Sequence, residues 1–334
     1  MASVLVTGGA GFIGSHVADA LIAGGHRVTV LDDLSGGYRE NVPAAATFVQ
    51  GSVTDAPLVD HLFARLSYDY VFHLAAYAAE GLSHFIKRFN YTNNVIGSVN
   101  LINASVNTGV KGFVFTSSIA VYGATPLLPM TETTPAHPED SYGIAKLAVE
   151  QELAVSKSMF GLDFVIFRPH NVYGPRQNIA DRYRNVVGIF MNQILQGRPM
   201  TIFGDGTQTR AFSCIDDVAP VIADAIEMRR PGAWNQVYNV GADTPVSLND
   251  LARSVATAMG VDPVVEHLPA RAEVAHAYSS HDKIRAAFGA SRVTPLAEGL
   301  RDMATWVRQY GARQTPAFEG IEITKNLPEA WRKL

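Results

Sequence analysis

Six short apolar runs punctuate the first half of the chain: residues 4–7, 27–31, 47–50, 70–74, 113–116 and 164–167. They are rich in β-branched and aromatic residues and read as continuous strands, the signature of a parallel sheet covered on both faces. Helical stretches separate them, among them Phe12–Ala23 and Asn90–Asn107. Strand, helix, strand in this rhythm leaves one expected fold class, an α/β fold with a doubly wound parallel sheet. After about residue 175 the rhythm breaks, and turn signals such as Gly174-Pro175 and Gly204-Asp205-Gly206 become dense. This half is expected to form a smaller α+β lobe over the carboxyl edge of the sheet, where open α/β sheets bind ligands. The expected division is 1–170 for the sheet domain and mainly 171–334 for the lobe, with the chain crossing between them. The tail after Gln314 carries no legible role.

The bulk properties exclude several classes. A chain of 334 residues with 47% hydrophobic residues buries an ample core, and its net charge of -4 with no basic run argues against a nucleic-acid surface. One cysteine, Cys214, rules out an internal disulfide and a Cys-cluster zinc site; no metal is expected, and Cys214 reads as a buried bystander. The amino terminus reads as a strand start, not a signal peptide, and no apolar run is long enough to span a bilayer. A cytoplasmic protein without a membrane partner is expected.

The first run leads straight into Gly8-Gly9-Ala10-Gly11-Phe12-Ile13-Gly14 and then a helix. One glycine lets the chain turn, one lets backbone N–H groups approach phosphate, and the last lets helix and strand pack closely. Asp32 closes the second strand, placed to accept hydrogen bonds from a ribose 2′-hydroxyl and to repel a 2′-phosphate. The turn and the carboxylate together point to NAD and to a Rossmann-type sheet. Asp33 reads as a loop residue, and Arg39 weighs less than an acidic strand end.

Tyr142-Gly143-Ile144-Ala145-Lys146 puts a phenol and an ammonium on one helical face. The lysine and the positive nicotinamide ring of NAD are both expected to stabilise phenolate and lower its pKa, so that Tyr142 takes a proton from a substrate hydroxyl. Ser118, just after the fifth strand, can share the same substrate oxygen.

With the Gly-rich turn, Leu31-Asp32-Asp33-Leu34-Ser35, His73-Leu74-Ala75-Ala76, Ser117 to Gly123, Tyr142 to Lys146, Arg168 to Pro175 and Gly204 to Arg210 all in order, the chain resembles the extended short-chain dehydrogenase/reductase superfamily. Within it, the chain is most similar to the NAD-dependent nucleotide-sugar epimerase/dehydratase family. The resemblance implies oxidation at C4 of a nucleotide-bound sugar, with Ser118, Tyr142 and Lys146 catalytic. It places the cofactor on Gly8, Gly11, Phe12, Ile13, Gly14, Asp32, Ser52, Val53, Leu74, Ala75 and Ala76, together with Tyr142 and Lys146. It places the nucleotide sugar on Ser118, Asn171, Arg184, Asn185, Arg210 and Arg271.

Members of the family that eliminate water carry an Asp-Glu pair after the Ser or Thr, where this chain has Ile119 and Ala120. The resemblance is therefore strongest to UDP-glucose and UDP-glucuronate 4-epimerases. The alternatives are a dehydratase or net-redox dehydrogenase of the same family, and, from another class, a non-catalytic NAD sensor. Ser52 stands where the family usually has an Asp on adenine. Glu80 reads as a surface carboxylate or a contact to a sugar hydroxyl, and Arg182 or Arg184 as exposed charges or a grip on a uronate. Arg271-Ala272-Glu273-Val274 is one residue shorter than the family pattern, so either Ala277 or Tyr278 gates the sugar pocket; a small gate admits N-acetylhexosamines. Relatives pair the helices corresponding to Asn90–Asn107 and Tyr142–Phe160 across a homodimer.

Overall fold

The computed structural model describes residues 1–334 except 228–231, 272, 290–291, 315–317 and 333–334. Its centre is a seven-stranded parallel sheet built from β1 (Ser3–Thr7), β2 (Arg27–Asp32), β3 (Thr47–Gln50), β4 (Tyr70–His73), β5 (Gly112–Thr116), β6 (Phe164–Pro169) and β7 (Gln236–Val240). The strands lie in the order β7, β6, β5, β4, β1, β2, β3. The order reverses beside β1, so the ends of β1 and β4 part at a crevice there, the usual ligand position of such sheets.

Alternation along each strand divides the core. Val4, Val6, Val28 and Val30 face α1 (Phe12–Ala23) and a later helix, Ile215–Ala223. Leu5, Leu31, Val71 and Phe113 face α2 (Ala56–Arg65), α3 (Gly97–Thr108) and α4 (Ser141–Phe160). Both faces are thus apolar, which is why the runs read as continuous.

The chain after residue 170 returns to this sheet twice. Ile215–Ala223 packs on α1, and β7 pairs in parallel with β6, Gln236 opposite Val165 through Val240 opposite Pro169. The rest forms a separate apolar core between Val186–Leu195, Leu248–Met259 and Leu296–Tyr310, flanked by short strand pairs. Cys214 is buried in it.

The helix expected at Asn90–Asn107 is continuous from Lys87 to Thr108 but widens to a π-helical turn at Thr92–Ile96. That turn carries Asn94, whose amide receives Tyr77 N (2.8 Å) and donates to Tyr77 O (3.1 Å). Asn90 donates to Ser141 O at 2.8 Å, tying the helix to the start of α4. Asp140 caps that start by accepting from Gly143 N at 2.8 Å.

Beneath the strand ends lies a buried ion pair. Arg168 Nε donates to Glu150 Oε1 at 2.9 Å, and both side chains are almost fully buried. Ser117 donates to the same carboxylate, and the Arg168 guanidinium lies 4.8 Å from the Tyr122 ring centre. Removing one partner strands the other charge in the core, at roughly 3–5 kcal/mol. Glu150→Ala is therefore expected to destabilise by about that much in urea unfolding, while the double variant Glu150→Leu with Arg168→Met recovers most of the loss. Equal stability of Glu150→Ala and the parent would contradict this reading of the pair.

Candidate active site

The first turn of α1 explains the glycines one by one. Gly8 has φ +72°, and a Cβ there would meet Ala75 N at 2.6 Å. At Gly14 a Cβ would lie 2.1 Å from Gly8 O, so only glycine lets helix and strand approach this closely. Gly11 caps α1 through its backbone alone, with no side chain on the helix's free N–H groups and no acidic residue in the first turn. These groups face a cavity of about 840 Å³, lined by Gly8, Gly11, Phe12, Ile13 and Gly14. An uncapped helix start with this open cradle fits a pyrophosphate.

Asp32 lines the same cavity. Its carboxylate accepts from Ala10 N (3.0 Å) and Leu34 N (2.8 Å), which leaves lone pairs for a ribose hydroxyl. Burial pushes its pKa upward, against those backbone bonds. Asp33 makes a local turn to Ser35 N at 2.9 Å, and Arg39 stacks on Phe48 at 4.5 Å, away from the residues that line the cavity. Ser52, Val53, Leu74, Ala75 and Ala76 line it too, although the Ser52 hydroxyl is already bonded to Thr54 Oγ1 at 2.9 Å.

The chemical end of the cavity holds Ser118, Tyr142 and Lys146, all buried. Lys146 Nζ donates to Thr116 O at 2.7 Å and lies 5.7 Å from the centre of the Tyr142 ring. Ser118 Oγ accepts from Ala120 N at 3.1 Å and lowers the phenol's pKa from beside it. The expected lowering of the Tyr142 pKa is not what the protein alone produces. Burial raises it above the usual tyrosine value, the Glu80 carboxylate raises it further, and Ser118 only partly offsets them. Lys146 is itself pulled down to about 7 by burial, with Glu150 opposing. At the phenol, burial outweighs the lowering by Ser118 and Arg184, so a positive charge bound beside it would favour phenolate.

Asn171, Arg184, Asn185, Arg210 and Arg271 all line the cavity as well. Asn171 and Asn185 adopt positive φ (40° and 56°), strained for a non-glycine residue. Arg184 is paired with Asp181 and stacked on Tyr77 at 5.1 Å, so its charge is already matched. Arg182 is exposed on the same cavity. Arg210 donates to Thr209 O (2.8 Å) and Ala275 O (3.0 Å), and Arg271 pairs with Glu273 at 3.0 Å. Ala277, not Tyr278, is the gate position that lines the cavity.

Sequence reasoning gave no site role to Thr116 or Gln177, which line the cavity. Among the described residues, Thr116 Oγ1, Gln177 Oε1 and Asn185 Oδ1 are buried without a hydrogen-bond partner, and all three belong to this cavity. An orphaned buried acceptor costs about 1–3 kcal/mol. Only their side-chain chemistry could have marked them, and a Thr or Gln in a loop carries no such signal.

A doubly wound sheet, a glycine cradle with Asp32, and a buried Ser–Tyr–Lys set define an NAD-dependent enzyme of the short-chain dehydrogenase/reductase type. The model of the NAD dependent epimerase/dehydratase family matches residues 4–241, and the chain belongs to that family. A UDP-glucose 4-epimerase of Mycolicibacterium smegmatis is 36% identical over 311 residues, covering 91% of this chain and 98% of its own. The crystal structure of a Thermotoga maritima UDP-glucose 4-epimerase with UDP-glucose superposes with a TM-score of 0.87 at 35% identity, over 92% of this chain and 99% of that one. A UDP-N-acetylglucosamine 4-epimerase of Methanobrevibacter ruminantium in complex with UDP-N-acetylmuramic acid gives a TM-score of 0.84 at 32% identity, over the same shares.

The depressed lysine has a consequence for stability. Between pH 7 and 10.5 the unfolded chain holds the Lys146 proton more tightly than the folded one, so stability rises with pH across that window. The unfavourable contribution is full below pH 7, at most roughly 5 kcal/mol at about 1.4 kcal/mol per tenfold change in proton affinity. Lys146→Met is expected to stabilise the cofactor-free protein most below pH 7, with the gain fading toward pH 10.5. Thermal melts across that range check this; a gain that grows with pH would refute it.

Proposed function

We propose that the protein is a UDP-hexose 4-epimerase, with UDP-glucose and UDP-galactose as its substrate pair. The observation that carries this reading is the pairing of a buried Tyr142, Ser118 and Lys146 with two apolar residues, Ile119 and Ala120, at the positions that follow. Oxidation at C4 needs a group to take the hydroxyl proton, and returning the sugar as its epimer needs that proton given back. Tyr142 does both, and Ser118 holds the oxygen between them. Bound NAD would supply the two-electron chemistry, taking hydride from C4 and returning it to the opposite face, and its oxidised ring would add positive charge beside the phenol. Lys146, anchored on Thr116 O, fixes the height of that end of the pocket. Elimination of water asks for further acid and base groups after Ser118, which Ile119 and Ala120 are not.

Arg210 and Arg271 hold the diphosphate, Asn171 and Asn185 the groups beside it, and the uridine lies in the smaller lobe. In this division residues 1–170 carry the cofactor and 171–334 mainly the nucleotide sugar. UDP-N-acetylhexosamines form a second substrate class, supported by the small Ala277 on the cavity wall. A homodimer is supported by apolar side chains left exposed on the two expected helices, Ile96 at 52%, Val155 at 53% and Met159 at 68%. No helix among the described residues is long and apolar enough to cross a membrane, and we place the protein in the cytoplasm.

Purified protein given UDP-glucose without added cofactor is expected to yield UDP-galactose, with no net NADH and no 4-keto-6-deoxy sugar, and to act on UDP-N-acetylglucosamine as well. Tyr142→Phe should keep its dinucleotide and lose turnover by at least about a thousandfold. Steady NADH production, or full activity in Tyr142→Phe, would overturn the assignment.

A further inference from the structure

Glu80 opens a short helix, Glu80–Ser83, on the wall of the sugar end of the cavity. The residue is exposed and lines the cavity. One hydroxyl ties the backbone of this turn to the backbone of Tyr142. Ser83 Oγ donates to Glu80 O at 2.6 Å and accepts from Tyr142 N at 3.1 Å. The charges that act on the Glu80 carboxyl come from both ends of the site. Asp140 stands at the start of α4, and Arg210, Arg271 and Glu273 stand where the diphosphate is placed. A hexose held by its diphosphate at one end and presenting C4 to Tyr142 at the other has to run past this carboxyl.

We propose, on the 4-epimerase reading, that Glu80 is a specificity-determining residue that hydrogen-bonds the hydroxyls of a neutral hexose and repels a C6 carboxylate, making this site select UDP-hexoses over UDP-uronates. The cations nearby do not cancel that repulsion. Arg210 and Arg271 serve the diphosphate, and Arg184 is spent on Asp181.

The wall that carries Glu80 is braced by the chain's own tail. Trp331 packs on Gly81, where an added Cβ would approach its ring to 3.3 Å, and lies edge-on to Tyr183 and Phe85. Glu322 accepts from Arg88 N and Phe89 N, both at 2.9 Å, and its own N–H donates to Phe85 O at 2.8 Å. These contacts hold the backbone that carries Glu80 and keep the residue on this wall of the cavity.

The test is calorimetric titration of UDP-glucose and of UDP-glucuronate into the NAD-loaded protein, its Glu80→Gln and Glu80→Ala variants, and Trp331→Ala. Kinetics on both nucleotide sugars follow, and melting temperatures confirm folding. The parent is expected to bind UDP-glucose more tightly. Glu80→Gln should shift the ratio of dissociation constants toward UDP-glucuronate by about tenfold or more, with Trp331→Ala shifting it less in the same direction. A ratio unchanged within twofold in both Glu80 variants, or a parent that prefers UDP-glucuronate through Arg182, overturns the proposal. Because binding is read apart from turnover, a parent that binds both sugars but epimerises neither sinks the activity and still decides the role of Glu80.

Discussion

The contact between Gly8 O and the start of α1 sets the geometry of everything around it. That oxygen accepts from Gly11 N at 3.0 Å and fills the space a Cβ at residue 14 would need. Only this approach lets the helix begin at the carboxyl edge of β1 with its N–H groups bare. The same edge brings together the ends of β1, β4 and β5, and therefore Ala75, Thr116 and Ser118, which lines the wall facing Tyr142. The cofactor cradle and the reacting residues are two consequences of one packing constraint.

At the chemical end, desolvation governs. The pocket is dry enough to raise a phenol and to depress an ammonium that sit on one helical face. Such a pair is costly in the empty protein and becomes useful when an added positive charge tips the phenol toward proton acceptance. Binding energy from the diphosphate and uridine is then spent on completing the electrostatics of the site.

Much of this was legible in the residues because the strands are buried on both faces and the glycines answer strict steric demands. β7 was not. Gln236-Val237-Tyr238-Asn239-Val240 mixes polar and apolar residues, and Asn239 is fully buried because its amide bonds Tyr122 Oη and Met130 O across the fold. The tail was equally opaque: its Trp331 and Glu322 find partners in segments more than two hundred residues away. Glu80 read as a surface carboxylate and is exposed; its place on the cavity wall was not legible, because it depends on Ser83 tying its turn to Tyr142 N. Spacing did not settle the gate between Ala277 and Tyr278, whereas the strand pairing of Ala277 with Arg210 turns one residue to the cavity and leaves the other out. The balance at Tyr142 and Lys146 also needed the structure, since helical spacing says the two meet and says nothing of how dry their meeting place is.

The central claim is that one carbon is oxidised and restored within a closed site, with Tyr142 lending and recovering the proton. UDP-glucose carrying deuterium at C4 puts this to the most direct test. The account predicts UDP-galactose that keeps the full label at C4, with none released to water. Loss of the label to solvent or to free dinucleotide during turnover would contradict it.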